Sequence, residues 1–152
     1  MAIAYRDTYV TLGGLHLGNL AIDCYDWSSL FAVPSKRGKN RVLPGQSGRE
    51  ARPRINEEFR AGLAIRLRGD YTDNNEVIYD TEANWATNIY ARLSTLQATC
   101  MVNTIETLTF TAPSISLSAD AQIEEMGPPD FRNPWIITLV VDLTLPNGPI
   151  GA

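Results

Sequence analysis

The chain has 152 residues, 44% of them hydrophobic, and a formal net charge of −4. That is one domain's length, able to bury roughly 70% of its unfolded surface without help from a metal or a disulfide. No run approaches the ~20 apolar residues of a membrane span, and Arg6 and Asp7 interrupt the start before an apolar leader develops. A soluble, cytosolic protein without membrane insertion is expected.

The charges are unevenly placed. Residues 1–68 hold 11 basic and 6 acidic side chains, whereas residues 69–152 hold 2 basic and 11 acidic ones. A net acidic chain is a poor general nucleic-acid binder. A chain with one positive and one negative half suits head-to-tail contact between copies, positive surface against negative.

In chain order, "YVTLGGLHLGNLAIDCYDW" predicts a short strand, a Gly13-Gly14 turn and one or two further strands. His16, the only histidine, lies between Leu15 and Leu17, where alternation makes it a polar-face residue rather than a metal or catalytic one. Asp23 and Asp26, flanking Tyr25, are expected on a solvated turn, with ion binding the alternative. Cys24 and Cys100 are 76 positions apart, each among apolar neighbours, with no Cys or His at ligand spacing. Reduced core thiols are the expectation and a disulfide the alternative.

Residues 33–54, "VPSKRGKNRVLPGQSGREARPR", contain three Gly, three Pro and the basic residues Lys36, Arg37, Lys39, Arg41, Arg49, Arg52 and Arg54. No aromatic residue interleaves there, so bases would have no stacking platform. Only 2 of the chain's 13 basic residues are lysine. Such arginine bias suits bidentate pairing with carboxylates as well as phosphate contact. The stretch reads as two extended arms around Pro44-Gly45 to Gly48, with a surface loop as the alternative.

Next, "FRAGLAIRLRG" alternates strictly. Phe59, Ala61, Leu63, Ile65 and Leu67 form one face, and Arg60, Arg66 and Arg68 stand on the other. "GDYTDNNEVIYDT" predicts an acidic loop and a short extended piece. Residues 82–98 predict a helix, with Trp85, Ile89, Leu93 and Leu96 on one stripe, Asp80 as N-cap and Glu82 at the positive end of the dipole. In "ETLTFTAPSISLSADAQIEE" the alternation changes frame at Pro113-Ser114, which predicts a bulge or a bend between sheets. In "WIITLVVDLTL", Trp135, Ile137, Leu139, Val141, Leu143 and Leu145 face one way. The sum is a mainly antiparallel β domain with one α-helix packed on it.

Catalytic patterns are missing. "GQSGR" lacks the spacing and the strand–turn–helix context of a nucleophile elbow, and Val33 occupies the place of the first P-loop glycine before Gly38. The pairs Glu57-Glu58 and Glu124-Glu125 are adjacent, so on strands their side chains diverge. No enzyme, cofactor or metal site is expected.

"LFAVPSKRGKNRVLPGQSGREARPR" followed by "FRAGLAIRLRGDYTD" resembles the N-terminal part of distal tail proteins of long-tailed bacteriophages. Arg37, Gly38, Asn40, Pro44, Gly45 and Gly48 match that family's R-G-x-N/D-x-x-x-P-G-x-x-G pattern, and the helix follows in the same order. The resemblance implies a single tail-tube-like domain over 1–152, a β-sandwich or half-barrel flanked by a helix. It implies a long protruding hairpin at about 34–56 that joins neighbouring subunits. It further implies a hexameric ring around a DNA channel in the virion tail, assembled in the bacterial host cytoplasm. The partners would be further copies of itself and tube, hub or tape-measure proteins, with DNA met only in passage. Many such proteins carry a second, C-terminal domain for which this sequence shows no room, so a tube subunit is an alternative within the group. Outside it, the alternatives are a small nucleic-acid-binding β domain using the arginine-rich loop, and a carbohydrate-binding module, for which no specific aromatic site is visible.

Overall fold

In the computed structural model, the alternation in "FRAGLAIRLRG" becomes a central strand. The structure describes residues 7–33, 36–37, 55–56, 59–71, 82–133 and 135–151, with backbone alone at 36–37, 55–56 and 82–84. The strands are β1 (Tyr9–Leu12), β2 (Leu15–His16), β3 (Gly18–Asn19), β4 (Ile22–Asp26), β5 (Lys36–Arg37), β6 (Ile55–Asn56) and β7 (Arg60–Arg68). After these come the helix α1 (Glu82–Cys100) and β8 (Glu106–Ala112), β9 (Ile115–Met126), β10 (Asp130–Asn133) and β11 (Ile136–Thr144). A 3-10 turn, Ser28–Phe31, follows β4.

Nine strands form one antiparallel sheet in the order β2-β1-β8-β9-β11-β7-β4-β3, with β10 added to β11; β5 and β6 pair separately. The longest ladder runs from Ile136↔Arg68 to Thr144↔Arg60 between β11 and β7. It superimposes two apolar rows, Ala61-Leu63-Ile65-Leu67 and Ile137-Leu139-Val141-Leu143, and all eight side chains are buried. Burial of this kind, about 1.5–3 kcal/mol for each large aliphatic side chain, dominates the stabilisation.

Strand β9 joins two halves. Its residues through Ala121 pair with β8, and its residues from Gln122 pair with β11. A register shift there sets Leu143 opposite Ile123 but Asp142 opposite Glu125, leaving Glu124 as the extra residue of a bulge. The frame change at Pro113-Ser114 therefore has a different origin from the expected bulge or sheet-to-sheet bend. Ala112 pairs with Ile115, so Pro113 and Ser114 are a two-residue hairpin turn, with Ser114 in the left-handed region at φ 63°. The passage between halves occurs about ten residues later.

At the other side, Leu17 draws the ends of the sheet together. Its N–H donates to the Val10 carbonyl, and its own carbonyl accepts from the Cys24 N–H. The predicted turn before it is present, with Gly13 and Gly14 at φ 56° and 85°, a geometry that favours glycine. The result is a curled antiparallel sheet with one helix, as the sequence pattern leads one to expect.

Helix α1 packs Trp85, Ile89, Leu93 and Leu96 into the core, all four buried. It reaches β7, β9 and β11. Gly69, just after β7, permits this approach: a Cβ there would lie 2.8 Å from the Trp85 carbonyl oxygen. Arg92, also buried, donates from its guanidinium to the carbonyls of Arg68 and Tyr71 and so ties the helix to the end of β7. Asp80 and the loop before it lie outside the described residues.

Candidate subunit-interface site

The base of the arginine-rich stretch is where sequence and structure meet. Lys36 pairs with Asn56 and Arg37 with Ile55, antiparallel, so residues 38–54 connect two paired strands. Lys39, Arg41, Pro44, Gly45, Gly48, Arg49, Arg52 and Arg54 lie outside the described residues, as do the side chains of Lys36 and Arg37.

The approach to this base is firmly held. Asp26 accepts bonds from the N–H and hydroxyl of Ser28, which start the 3-10 turn and lower the Asp26 pKa. Ser29 Oγ donates to the Gly62 carbonyl at 2.8 Å and accepts from its N–H at 2.9 Å, fastening the turn to β7. The Ile150 N–H donates to the Leu30 carbonyl, which adds the C-terminal segment to the same anchor. Phe31 then meets the edge of Phe110 with ring centroids 5.1 Å apart, and Trp27 approaches the same ring at 6.0 Å.

On the predicted arginine row, Arg60 is exposed and Arg66 and Arg68 are half-buried. Arg66 is 3.2 Å from Asp23 and lies over the Tyr25 ring. Arg68 makes a two-point contact with Asp70 at 3.0 and 2.8 Å and covers Tyr71. The Asp70 carboxylate raises the Arg68 pKa further. Asp23 departs from expectation: it is fully buried within β4, not on a solvated turn. Its register opposite Arg66 supplies the reason, since a carboxylate facing an arginine across a ladder can be enclosed with it.

Acidic residues gather on β9 and β11. Glu125 stands opposite Asp142, and Glu124 accepts a 2.8 Å bond from the Thr144 hydroxyl. With Arg60, Ser29 and Gly62 they line an open groove of about 410 Å³. Among the described residues no group of three His, Cys, Asp or Glu is placed to hold a metal ion. No described helix is long and apolar enough to cross a membrane. His16 behaves as a structural residue: its ring stacks on Tyr9 at 4.0 Å, and its Nδ1 accepts the Gly18 N–H. Cys24 and Cys100 are unpaired thiols, and burial pushes Cys24 up to about 12, so it is not a reactive thiolate.

From Ala83 to Ile105 the only charged residue is Arg92, and that residue is buried. Past Glu82 the solvent side of α1 is consequently uncharged, with Tyr90 and, just past the helix end, Met101 exposed. Trp135, expected in the core row, is partly exposed instead and packs on Trp85 at 4.6 Å. It stands in a turn before β11 begins, so the strand's alternation does not extend to it.

No protein-family profile matches this chain, and no curated protein matches it in sequence. Solved structures do share its fold. The crystal structure of the Dit protein of phage SPP1, described as a paradigm of the hub adsorption apparatus in phages infecting Gram-positive hosts, superimposes with a TM-score of 0.62 at 14% identity. The match covers 92% of this chain and 50% of that one. Chains of the phage p2 baseplate in its activated conformation, with strontium or calcium, give TM-scores of 0.59 and 0.60 at 8% and 9% identity. Each covers 91% of this chain and 44% of the other. This chain thus has the fold found in phage tail hub and baseplate proteins. It spans about half the length of those relatives.

Proposed function

We propose that this protein is a non-enzymatic structural component of a phage tail, forming a ring around a central DNA channel as a distal tail or tail-tube protein. The observation that carries the reading is the fold, shared over 92% of the chain with the SPP1 Dit protein. The paired base of the 34–56 hairpin supports it, because that pairing stands where the resemblance puts a subunit-joining arm. In this reading Lys36, Arg37, Lys39, Arg41, Arg49, Arg52 and Arg54 reach carboxylates of a neighbouring subunit, and Pro44, Gly45 and Gly48 shape the tip. The acidic residues of β9 and β11 help line the channel, where repulsion keeps passing DNA from adhering. Six copies close the ring, and tube, hub or tape-measure proteins stack on it in the virion tail.

The test is solution mass combined with negative-stain imaging. Six chains of 16.8 kDa weigh about 101 kDa. Deleting residues 38–52 should leave the circular-dichroism spectrum of the β domain intact and abolish rings. Unchanged rings would remove the hairpin from the account. DNA binding that weakens steeply as salt rises would favour a nucleic-acid-binding domain instead.

A further inference from the structure

Surface helices ordinarily carry charged residues on the side facing water. Helix α1 does not. At 100° per residue, Tyr90, Ser94, Ala98 and Met101 follow one another along its outer face, flanked by Ala91, Thr95 and Gln97, and every one is exposed. Tyr90 is 54% and Met101 78% exposed. The strip widens onto β10, where Phe131, 52% exposed, stacks against Tyr90 at 6.4 Å. The charges of β10 cancel locally: Arg132 grips Asp130 through both carboxylate oxygens, which holds the Asp130 pKa down to about 2. Depletion of charge around exposed aromatic and methionine side chains is the composition of an interface centre, not of a free surface.

The chemistry of the strip limits its occupant. Without a free cation along the described helix it offers nothing to phosphate, in nucleic acid or in an anionic membrane. Past Glu82 the helix carries no carboxylate, so the strip gives the arginine hairpin no partner. It fits an uncharged apolar surface, and the chain itself carries one on other elements. Phe31, 45% exposed, packs on Phe110, and Val33, 76% exposed, follows two residues on at the exit of the 3-10 turn. Two different apolar patches on one subunit permit a heterologous contact, which repeats head to tail and closes into a ring.

We propose that the outer face of α1, extended by Phe131, is a subunit interface that receives the Phe31–Val33 patch of a second copy of this chain. The identity of the occupant rests on the ring reading above. The contact is separate from the arginine hairpin, and both are needed to close the ring.

The proposal is tested with two sets of variants. Ser94→Arg combined with Ala98→Arg puts charge on the strip without touching the core. Sedimentation of the full chain should give rings for the natural protein and, for this variant, a fall towards the 16.8 kDa monomer with an unchanged melting temperature. A variant that keeps the ring mass would overturn the proposal while leaving the ring reading intact. A natural protein that is monomeric at every concentration would overturn both. Direction is tested by adding Val33→Cys and Ser94→Cys to a Cys100→Ala background and treating with a short bis-maleimide. The double variant should give a ladder of covalent multimers and each single variant none. A dimer from Ser94→Cys alone would show a two-fold contact and contradict the head-to-tail arrangement.

Discussion

Two surfaces of this molecule treat charge in opposite ways. On the outer face of β4 and β7, arginines are present and Arg66 and Arg68 are answered within the subunit, by Asp23 and by Asp70. On the outer face of α1 charge has been left out, and large apolar side chains remain in water. The first surface is complete in a single chain. The second gains only when something covers it. The contrast separates what holds the chain together from the face proposed to meet a neighbour, and variants on the two sides should differ accordingly.

The largest effect is expected beneath both surfaces. Leu63 and Leu143 are fully buried in the β7–β11 ladder, so Leu63→Ala should cost about 2–5 kcal/mol in a denaturant titration. A smaller but clear loss is expected at the helix–strand contact. Gly69→Ala drives a Cβ to 2.8 Å from a backbone oxygen that cannot step aside, and overpacking of this kind costs about 1–3 kcal/mol. On the completed surface, Asp23→Ala removes the buried partner of Arg66 and should cost about 1–3 kcal/mol. If Asp23→Ala were as stable as the natural protein, that surface would not be self-sufficient in the sense argued. On the uncovered surface, Ser94→Arg with Ala98→Arg should change monomer stability by less than about 0.5 kcal/mol while removing assembly.

The smallest effect concerns pH. Burial lowers the His16 pKa below its ordinary value of 6.5 by penalising the charged ring. The unfolded chain then binds the proton more readily. The contribution is fully present above pH 6.5 and is lost as pH falls through 6.5 towards the folded value. The denaturation midpoint should drop slightly between pH 7.5 and 5.5, and His16→Gln should flatten that slope.

Much of the fold was legible because its elements follow single periodicities. The two-residue repeat in Ala61–Leu67 and Ile137–Leu145 marks buried faces directly, and the 4-4-3 spacing of Trp85, Ile89, Leu93 and Leu96 marks the helix. What periodicity does not mark depends on which strands pair and in what register. Asp23 looks like a turn residue until β7 sets Arg66 opposite it. Pro113-Ser114 looks like an irregularity inside one strand until the pairing of Ala112 with Ile115 shows two strands. The bulge at Glu124 leaves no mark in composition, since it comes from the register of β9 on β11. The uncharged span around α1 was present in the sequence throughout. It acquires meaning only when the fold shows which of its residues are covered. As for the hairpin, its base at Lys36–Arg37 and Ile55–Asn56 is seen, while the arginines beyond are known from sequence alone.

The central claim is that this chain closes into rings, and the most direct measurement is sedimentation of the natural protein over a hundredfold range of concentration with negative-stain images of the same samples. The account predicts a species near 101 kDa, six chains of 16.8 kDa, seen end-on as rings with a central hole. A single 16.8 kDa species at every concentration, with no rings in the images, would contradict it.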